Sequence, residues 1–396
     1  MSGRVLITFI DAFGPRQLEA LGESLDFLPH RRVLAGTMGY SSGALPTILT
    51  GASPTVHGRM CLFSAPASQR SGVLSPLRWL GLLPRLVHER NRVRSLAARV
   101  LARASGLTGY VALHRVPPAA FDWLDIPERD DMFQAEHIGG APTFLAQARQ
   151  AGIDVYAAPW QLSEERRWEH AQHALRTRQP RLSFLYTGAL DGALHRDGNR
   201  RRTIAEVGGR IATEIERARR ALGRGLERST DDVLTLVVGD HGMADVNRVI
   251  DPGPALDRLV GQRLFVDSTM MRFWGRPHQL DAARLAVERL GAPGIWLDRS
   301  ALVAREVPVE DAPYGDAIFL LQEGALFAPS FLGGRVRGMH GYDTSCRSAN
   351  AALASDHSIP PWVRSTASVA PVIRQALGLP REPPPGADAT PGEVPP

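Results

Sequence analysis

The sequence predicts an α/β protein whose helices cover both faces of a largely parallel sheet, a three-layer αβα sandwich. Four continuous apolar runs, at residues 5–10, 153–158, 182–188 and 233–239, are typical of strands buried on both faces of such a sheet. Helix-like segments separate these runs, and alternating strands and helices favour parallel strands joined by crossover helices. With 44% hydrophobic residues, the chain of 396 residues can bury the core that this fold requires.

The predicted elements follow one another along the chain. The first strand, VLITFI (5–10), is too short for a signal-peptide core or a membrane span. Small residues around Ser41 and Ser42 favour a tight turn into the helix GALPTILTG. The helix TFLAQARQAG (143–152) ends in a glycine suited to the left-handed position after a helix. A long helix at 203–223 leads to the last strand of the four.

Two segments interrupt this alternation and are predicted to be insertions into one catalytic domain at residues 1–378. Residues 60–130 place apolar and arginine positions at roughly helical spacing, which predicts basic amphipathic helices that form a lid. The apolar face of the lid is expected to pack on the core, with docking to a membrane surface or a partner helix as the alternative. Residues 252–335 are predicted to form a small α+β subdomain, and the Pro-rich residues 379–396 a disordered tail.

The composition excludes several mechanisms and partners. All 46 basic residues are arginines, which excludes a P-loop lysine, a Schiff-base lysine and a lysine general base. The net charge of +5 comes without a stacking or groove-reading motif, so no nucleic-acid partner is expected. Cys61 and Cys346 lie far apart without CxxC spacing, which predicts neither a disulfide framework nor a zinc ribbon. A reducing compartment fits this cysteine usage, and a cytoplasmic location is expected.

Acidic and histidine side chains follow three of the predicted strands. They are Asp11 after the first run, Asp191 and His195 after the third, and Asp240 and His241 after the fourth. Because the carboxyl ends of parallel strands lie along one edge of a sheet, these groups are expected to converge there. His340, in the glycine-containing stretch GMHGYD, is a sixth candidate. Three carboxylates and three imidazoles suit Zn²⁺, with Mn²⁺ as the alternative, and six ligands predict two metal ions.

The turn at Ser41 and Ser42 is the remaining candidate for chemistry. A hydroxyl at a helix N-terminus is exposed, and the free backbone N–H groups there can hold an anion. The same serines could instead serve only to cap the helix.

The order of these motifs resembles a known group of enzymes. The chain resembles the alkaline phosphatase superfamily, and within it the type I phosphodiesterase and nucleotide pyrophosphatase branch. The resemblance rests on Asp11, the serine turn with TGASPTVHG, and then DGALH, GDHGM and HGYD, in that order. The resemblance spans the chain from about residue 4 to residue 378. It implies an alkaline phosphatase-like αβα sandwich with two metal ions, usually zinc. The implied ligands are Asp191, His195 and His340 for one metal and Asp11, Asp240 and His241 for the other.

The resemblance also implies a nucleophile. It places this role on Ser41, nine residues before the threonine of the TG motif, where the hydroxyl would also contact a metal. Ser42 is the alternative nucleophile, because a slip of one residue in this turn would change the assignment.

Two positions depart from the family pattern, and both concern the substrate. Ser42, a candidate substrate contact, stands where these pyrophosphatases have an aromatic residue that helps hold the base. The stretch RMCLFSA (59–65) lacks the asparagine that binds a phosphoryl oxygen. Arg59 is a candidate replacement, since a guanidinium can donate two hydrogen bonds to phosphoryl oxygens. A surface position or a role in anchoring the lid is the alternative.

These features predict a metal-dependent hydrolase of phosphate esters, a phosphodiesterase or nucleotide pyrophosphatase that forms a covalent phosphoseryl-type intermediate. The expected substrate is a small-molecule phosphate ester, with nucleotides and lipid-linked phosphates both considered. The basic lid is compatible with peripheral membrane contact. The sequence predicts no particular oligomeric state. A phosphomonoesterase or phosphonate hydrolase on the same two metals is the first alternative. A phosphotransferase and an inactive binding protein are the others, and the filled ligand positions disfavour the latter.

Overall fold

The computed structural model describes residues 3–66, 72–223 and 233–380, and a six-stranded sheet forms its centre. The strands are β1 (Arg4–Ile10), β2 (His30–Leu34), β3 (His137–Ile138), β4 (Ala141–Pro142), β5 (Val155–Ala157), β6 (Leu182–Thr187), β7 (Val233–Val238), β8 (Ala244–Asp245), β9 (Arg248–Ile250), β10 (Arg263–Val266), β11 (Met270–Trp274), β12 (Gly294–Leu297), β13 (Ala317–Leu321), β14 (Ala325–Phe327), β15 (Gly338–Met339) and β16 (Ala351–Ser355). The α-helices are α1 (Pro15–Ala20), α2 (Ser41–Thr50), α3 (Pro54–His57), α4 (Arg85–His88), α5 (Asn91–Ala104), α6 (Phe144–Gln150), α7 (Glu164–Arg178), α8 (Ala189–Asp197), α9 (Arg201–Gly223), α10 (Gly253–Leu256), α11 (Pro277–Glu288), α12 (Arg299–Val303) and α13 (Val369–Leu377).

The central sheet is largely parallel, as the sequence predicts. Its order is β2-β16-β7-β1-β6-β5, and β7, β1, β6 and β5 pair in parallel. Strand β16 runs antiparallel to both of its neighbours, β7 and β2, so the sheet is mixed. The four predicted strands correspond to β1, β5, β6 and β7, whereas β2 and β16 have no strand-like pattern in the sequence.

Helices cover both faces of this sheet, and the alternation of side chains along β1 shows the three layers. Val5, Ile7 and Phe9 belong to a core that also contains residues of α2, α6 and α13. Leu6 packs with residues of α7 and α9, and Ile10 with residues of α8 and α9. Because successive side chains of a strand point to opposite faces, this division confirms the αβα arrangement.

The two interrupting segments contain elements of their own. Between residues 60 and 130 the chain forms the 3₁₀ helices Ser75–Leu82 and Pro118–Asp122 together with α4 and α5. The two 3₁₀ helices and α5 share a buried apolar cluster. Between residues 252 and 335 the antiparallel sheet β10-β11-β13-β12 packs with α11. Residues 381–396, nearly all of the predicted tail, lie outside the described residues, while Leu379 is buried in the core. Within the described ranges no helix is both long and apolar enough to cross a membrane.

The arginine of a buried ion pair connects the antiparallel sheet β10-β11-β13-β12 to the segment after α3. Arg272 Nε lies 2.6 Å from Asp267 Oδ2, and both side chains are almost completely buried. The guanidinium also donates a 2.8 Å hydrogen bond to the carbonyl oxygen of Phe63. A charge at such a position is stable only while its partner is present.

Replacing Asp267 by asparagine is therefore expected to lower the free energy of unfolding by about 3–5 kcal/mol, because the charge of Arg272 stays buried and unpaired. The exposed pair between Arg299 and Glu310, with a 2.8 Å contact, provides a matched control. Changing Glu310 to glutamine is expected to leave stability within experimental error. Urea denaturation measures both variants, and equal loss of stability in the two would contradict the structural role of the buried pair.

Candidate active site

Neighbouring strands at the centre of the sheet bring the predicted ligands together at their carboxyl ends. Asp11 directly follows β1, and Asp240 lies two residues after the end of β7. Asp191 and His195 lie one turn apart on α8, which begins after β6. His340 follows β15, whose partner β8 itself lies just beyond β7.

The six side chains form two clusters. The first cluster is Asp11, Asp240 and His241, and the second cluster is Asp191, His195 and His340. Within each cluster the candidate ligand atoms lie within 4.8 Å of one another. His241 Nε2 is 3.2 Å from Asp240 Oδ2 and 3.6 Å from Asp11 Oδ1. Asp191 Oδ1 is 3.2 Å from His195 Nε2 and 3.7 Å from His340 Nε2. The rings of His241 and His340 stack with centroids 3.7 Å apart, so the clusters adjoin.

Backbone carbonyls orient two of the histidines. His195 Nδ1 lies 2.8 Å from the oxygen of Gly338, and His241 Nδ1 lies 2.7 Å from the oxygen of Gly242. Because a carbonyl oxygen only accepts hydrogen bonds, each Nδ1 carries a proton and each Nε2 is left to bind a metal. Each Nε2 faces a carboxylate oxygen of its own cluster at 3.2 Å. The space between them suits a metal cation.

The electrostatics of the clusters also fit a bound cation. Burial, followed by the charges of Asp240 and Asp191, raises the pKa of Asp11 well above its usual value. Burial also raises the pKa of Asp240 and lowers the pKa of His340, which keeps that imidazole in the neutral, metal-binding form. Within the two clusters, three buried atoms have no hydrogen-bond partner in the described part of the chain: Asp191 Oδ1, Asp240 Oδ2 and His340 Nδ1. Divalent cations would compensate the crowded carboxylates.

Ser41 is the serine that contacts the first cluster. It is the first residue of α2, and its hydroxyl lies 3.3 Å from Asp11 Oδ1, to which it donates, and 3.1 Å from His241 Nε2. Ser42 Oγ is buried and has no hydrogen-bond partner among the residues described. At the start of a helix both residues have backbone N–H groups without an intrahelical acceptor, which can hold an anion.

A hydrogen-bonded bridge that has no sequence signal supports this arrangement. Tyr40, just before Ser41, bonds through its hydroxyl to Thr269 Oγ1 at 2.8 Å, and Thr269 Oγ1 donates to the oxygen of Gly341 at 2.7 Å. Gly341 has a φ of +86°, and a Cβ there would lie 2.5 Å from the ring of Tyr40. The bridge thus holds the start of α2 against the loop that carries His340.

A cavity of about 960 Å³ opens onto Ser41 and both clusters. Aromatic and apolar side chains dominate its wall, and they include Tyr110, Met132, Phe133, Trp160, Leu162 and Tyr186. Arg167 is the one arginine lining the cavity among the described residues. Its guanidinium is already engaged by Glu164 at 3.0 Å and by three backbone carbonyl oxygens. These wall residues are scattered along the sequence without a regular spacing, so no motif in the sequence indicates them.

The cavity wall also contains a buried carboxyl that belongs to neither cluster, Glu128. Its Oε1 accepts a 3.1 Å hydrogen bond from the backbone N–H of Tyr110. Burial raises the pKa of Glu128 to about 7, against the lowering effects of that hydrogen bond and of Arg59.

Arg59, a predicted substrate contact, does not line this cavity. Its side chain is buried, and the neighbouring charge of Glu128 partly offsets the lowering of its pKa by burial. The adjacent His57 bonds through Nε2 to Thr47 Oγ1 at 2.9 Å, and burial lowers its pKa to about 3. His57 is therefore a neutral packing residue under α2, and Arg59 lies behind the cavity wall.

Comparisons with known proteins bear on the family and the fold of the chain. The family model described as type I phosphodiesterase/nucleotide pyrophosphatase matches residues 40–343. Human ectonucleotide pyrophosphatase/phosphodiesterase 5 is a similar solved structure, with a TM-score of 0.65, 13% identity and 97% of each chain covered. The murine protein of the same name has a TM-score of 0.65, 15% identity and 96% of each chain covered. An inactive threonine-to-alanine variant of that murine protein, in complex with AMP, has a TM-score of 0.64 at the same identity and coverage. A search of the curated proteins found no match.

Proposed function

The chain belongs to the type I phosphodiesterase/nucleotide pyrophosphatase family, and we propose that it hydrolyses phosphodiesters with Ser41 as nucleophile and two divalent cations, preferably Zn²⁺. The observation that carries this proposal is the position of Ser41 Oγ, 3.3 Å from Asp11 and 3.1 Å from His241. Carboxylate oxygens with imidazole nitrogens are the ligand set that Zn²⁺ accepts, with Mn²⁺ as the alternative.

The residues of the chain account for both halves of the reaction. Ser41 Oγ attacks phosphorus and the bond to the leaving oxygen breaks, which gives a phosphoseryl diester and an alcohol. Water then attacks the same phosphorus, Ser41 is released, and the product is a phosphomonoester. The backbone N–H groups at the start of α2 would hold a non-bridging oxygen. Bound cations would lower the pKa of the Ser41 hydroxyl and neutralise charge on the leaving oxygen.

The cavity favours a diester over a monoester. A monoester carries a second negative charge on phosphorus, which an enzyme ordinarily meets with additional cationic groups. Arg167, the one arginine on the described wall, is already paired with Glu164 and with backbone oxygens. The large aromatic and apolar wall offers space for a second substituent on the phosphate. A nucleoside is one such substituent, and AMP is the ligand named for the murine variant.

Metal analysis and two chromogenic esters test the proposal. The purified protein is expected to contain about two zinc ions per chain and to cleave bis-p-nitrophenyl phosphate faster than p-nitrophenyl phosphate. Thymidine 5′-p-nitrophenyl phosphate then tests the nucleoside as second substituent. A metal-free protein that stays inactive on all three esters after incubation with Zn²⁺ or Mn²⁺ would refute the hydrolase, and faster cleavage of the monoester would refute the diester preference.

Glu128 is expected to make substrate binding depend on pH. Its carboxyl loses a proton as pH rises through about 7, and the charge that then faces the cavity repels an anionic diester. The KM for bis-p-nitrophenyl phosphate should therefore rise between pH 6 and pH 8. The factor by which it rises should be about three times larger in the natural protein than in Glu128→Gln. Parallel KM profiles for the two proteins would show that this charge does not reach the substrate.

A further inference from the structure

Large apolar side chains that face solvent concentrate between residues 75 and 104. Six of the exposed large apolar residues of the described chain lie there: Trp79, Leu82, Leu83, Leu86, Leu96 and Val100. Leu82 and Leu86 are 78% and 81% exposed. The remaining exposed apolar residues are distributed over the rest of the described chain. Isolated exposed apolar residues are ordinary, whereas a concentration of them marks an interaction surface.

The inner side of this segment is firmly packed, so the exposed side is a defined face of the fold. Leu77 and Leu101 are buried in the apolar cluster of the insertion. Arg94, also buried, donates hydrogen bonds to the carbonyl oxygens of His88 at 2.9 Å and Val116 at 2.8 Å. These contacts fix which residues of α5 face outward.

The same segment has a larger net positive charge than the whole chain. Seven arginines and one glutamate give residues 75–104 a formal net charge of +6, whereas the whole chain carries +5. On the outer face of α5, three exposed arginines alternate with the exposed aliphatic residues. They are Arg92, Arg99 and Arg103, interleaved with Leu96 and Val100. No acidic residue lies on α5.

We propose that residues 75–104 form a docking surface for an anionic lipid bilayer. In this arrangement Trp79, Leu82 and Leu86 enter the interface between headgroups and acyl chains, and the arginines of α5 bind lipid phosphates. A second copy of the chain is a poorer occupant, because two faces of the same high positive charge repel each other. A purely polyanionic partner would leave the exposed leucines unexplained. The proposal concerns binding alone and does not depend on the hydrolysis proposed above.

Vesicle flotation with the full chain tests the docking surface. The protein is expected to float with vesicles of phosphatidylcholine and phosphatidylglycerol at 3:1, and at least about ten-fold less with pure phosphatidylcholine or in 0.5 M NaCl. The double variant Leu82→Ser/Leu86→Ser should lose at least about ten-fold in vesicle affinity. The matched control Val260→Ser/Leu285→Ser changes two exposed apolar residues elsewhere and should bind like the natural protein.

A charge variant distinguishes docking to anionic lipid from nonspecific hydrophobic adsorption. Arg92→Gln/Arg99→Gln/Arg103→Gln should weaken binding, whereas Arg166→Gln/Arg176→Gln/Arg201→Gln, on α7 and α9, should weaken it much less. Circular dichroism confirms folding, and cleavage of bis-p-nitrophenyl phosphate in solution should be unchanged in all four variants. Failure of the natural protein to float, or equal binding by the Leu82/Leu86 variant and its control, would overturn the proposal. A dimer in solution that only the Leu82/Leu86 variant dissociates, without flotation, would overturn it in favour of a protein interface.

Discussion

Replacing Ser41 by alanine is expected to lower kcat for bis-p-nitrophenyl phosphate by a factor of at least about 10³, because the atom that forms the bond to phosphorus is removed. The hydroxyl lies beside Asp11 and His241, and its loss leaves both clusters of potential ligands intact. Metal content should therefore remain at the level of the natural protein. The measurement pairs steady-state kinetics with metal analysis on the same preparation.

Ser42→Ala is the matched control, since it makes the same change one residue along the same helix. Ser42 Oγ has no hydrogen-bond partner among the described residues, so the expected loss of activity is below about ten-fold. Rapid acid quench of the natural protein with bis-p-nitrophenyl phosphate should trap the p-nitrophenyl phosphoryl group on Ser41, detectable by peptide mass spectrometry. Loss of activity only in Ser42→Ala, or label found on Ser42, would move the nucleophile by one residue.

Three of the four strands that the sequence predicts correctly, β1, β6 and β7, are buried on both faces, whereas the fourth, β5, is a half-buried edge strand. Runs such as VLITFI and VLTLVV are continuously apolar and rich in β-branched residues, which signals a central parallel strand. Strand β2, HRRVL, is an edge strand with mostly exposed, basic side chains. Strand β16, AALAS, consists mostly of alanine, which has low strand propensity. Both form through pairing with distant strands, so their local sequences carry no period that could identify them.

The site likewise contains residues that the sequence predicts and residues that it does not. The six potential ligands and Ser41 stand in short motifs at strand and helix ends, and the topology of the sheet places such ends together. The cavity wall is assembled from segments far apart in the chain, such as Tyr110, Trp160 and Leu332, whose proximity depends on how the insertions pack. The position of Arg59 in the motif predicts a substrate contact, but packing places its side chain outside the cavity lining.

Removal of the metals is expected to abolish activity and to lower the stability of the protein. A ligand present at 1,000 times its dissociation constant stabilises a folded state by about 4 kcal/mol. Without metal, the two clusters also destabilise the fold, since burial and mutual repulsion raise the pKa of Asp11 and burial raises the pKa of Asp240. The native state then binds more protons than the unfolded state, so the stability of the metal-free protein should fall as pH rises above about 4. Chelation followed by urea denaturation at pH 5 and pH 8 measures this effect.

Asp11→Asn should change stability in opposite directions with and without metal. In chelator the variant removes one of the crowded carboxylates, so it is expected to be more stable than the natural protein at pH 8 and to show a weaker pH dependence. In excess Zn²⁺ it lacks a ligand, so it should be less stable and lose at least about ten-fold in metal affinity. Asp281→Asn, an exposed change on α11, is the control and should follow the natural protein in both conditions. A loss of stability in both conditions would mean that Asp11 holds the fold together through protein contacts and is not primarily a metal ligand.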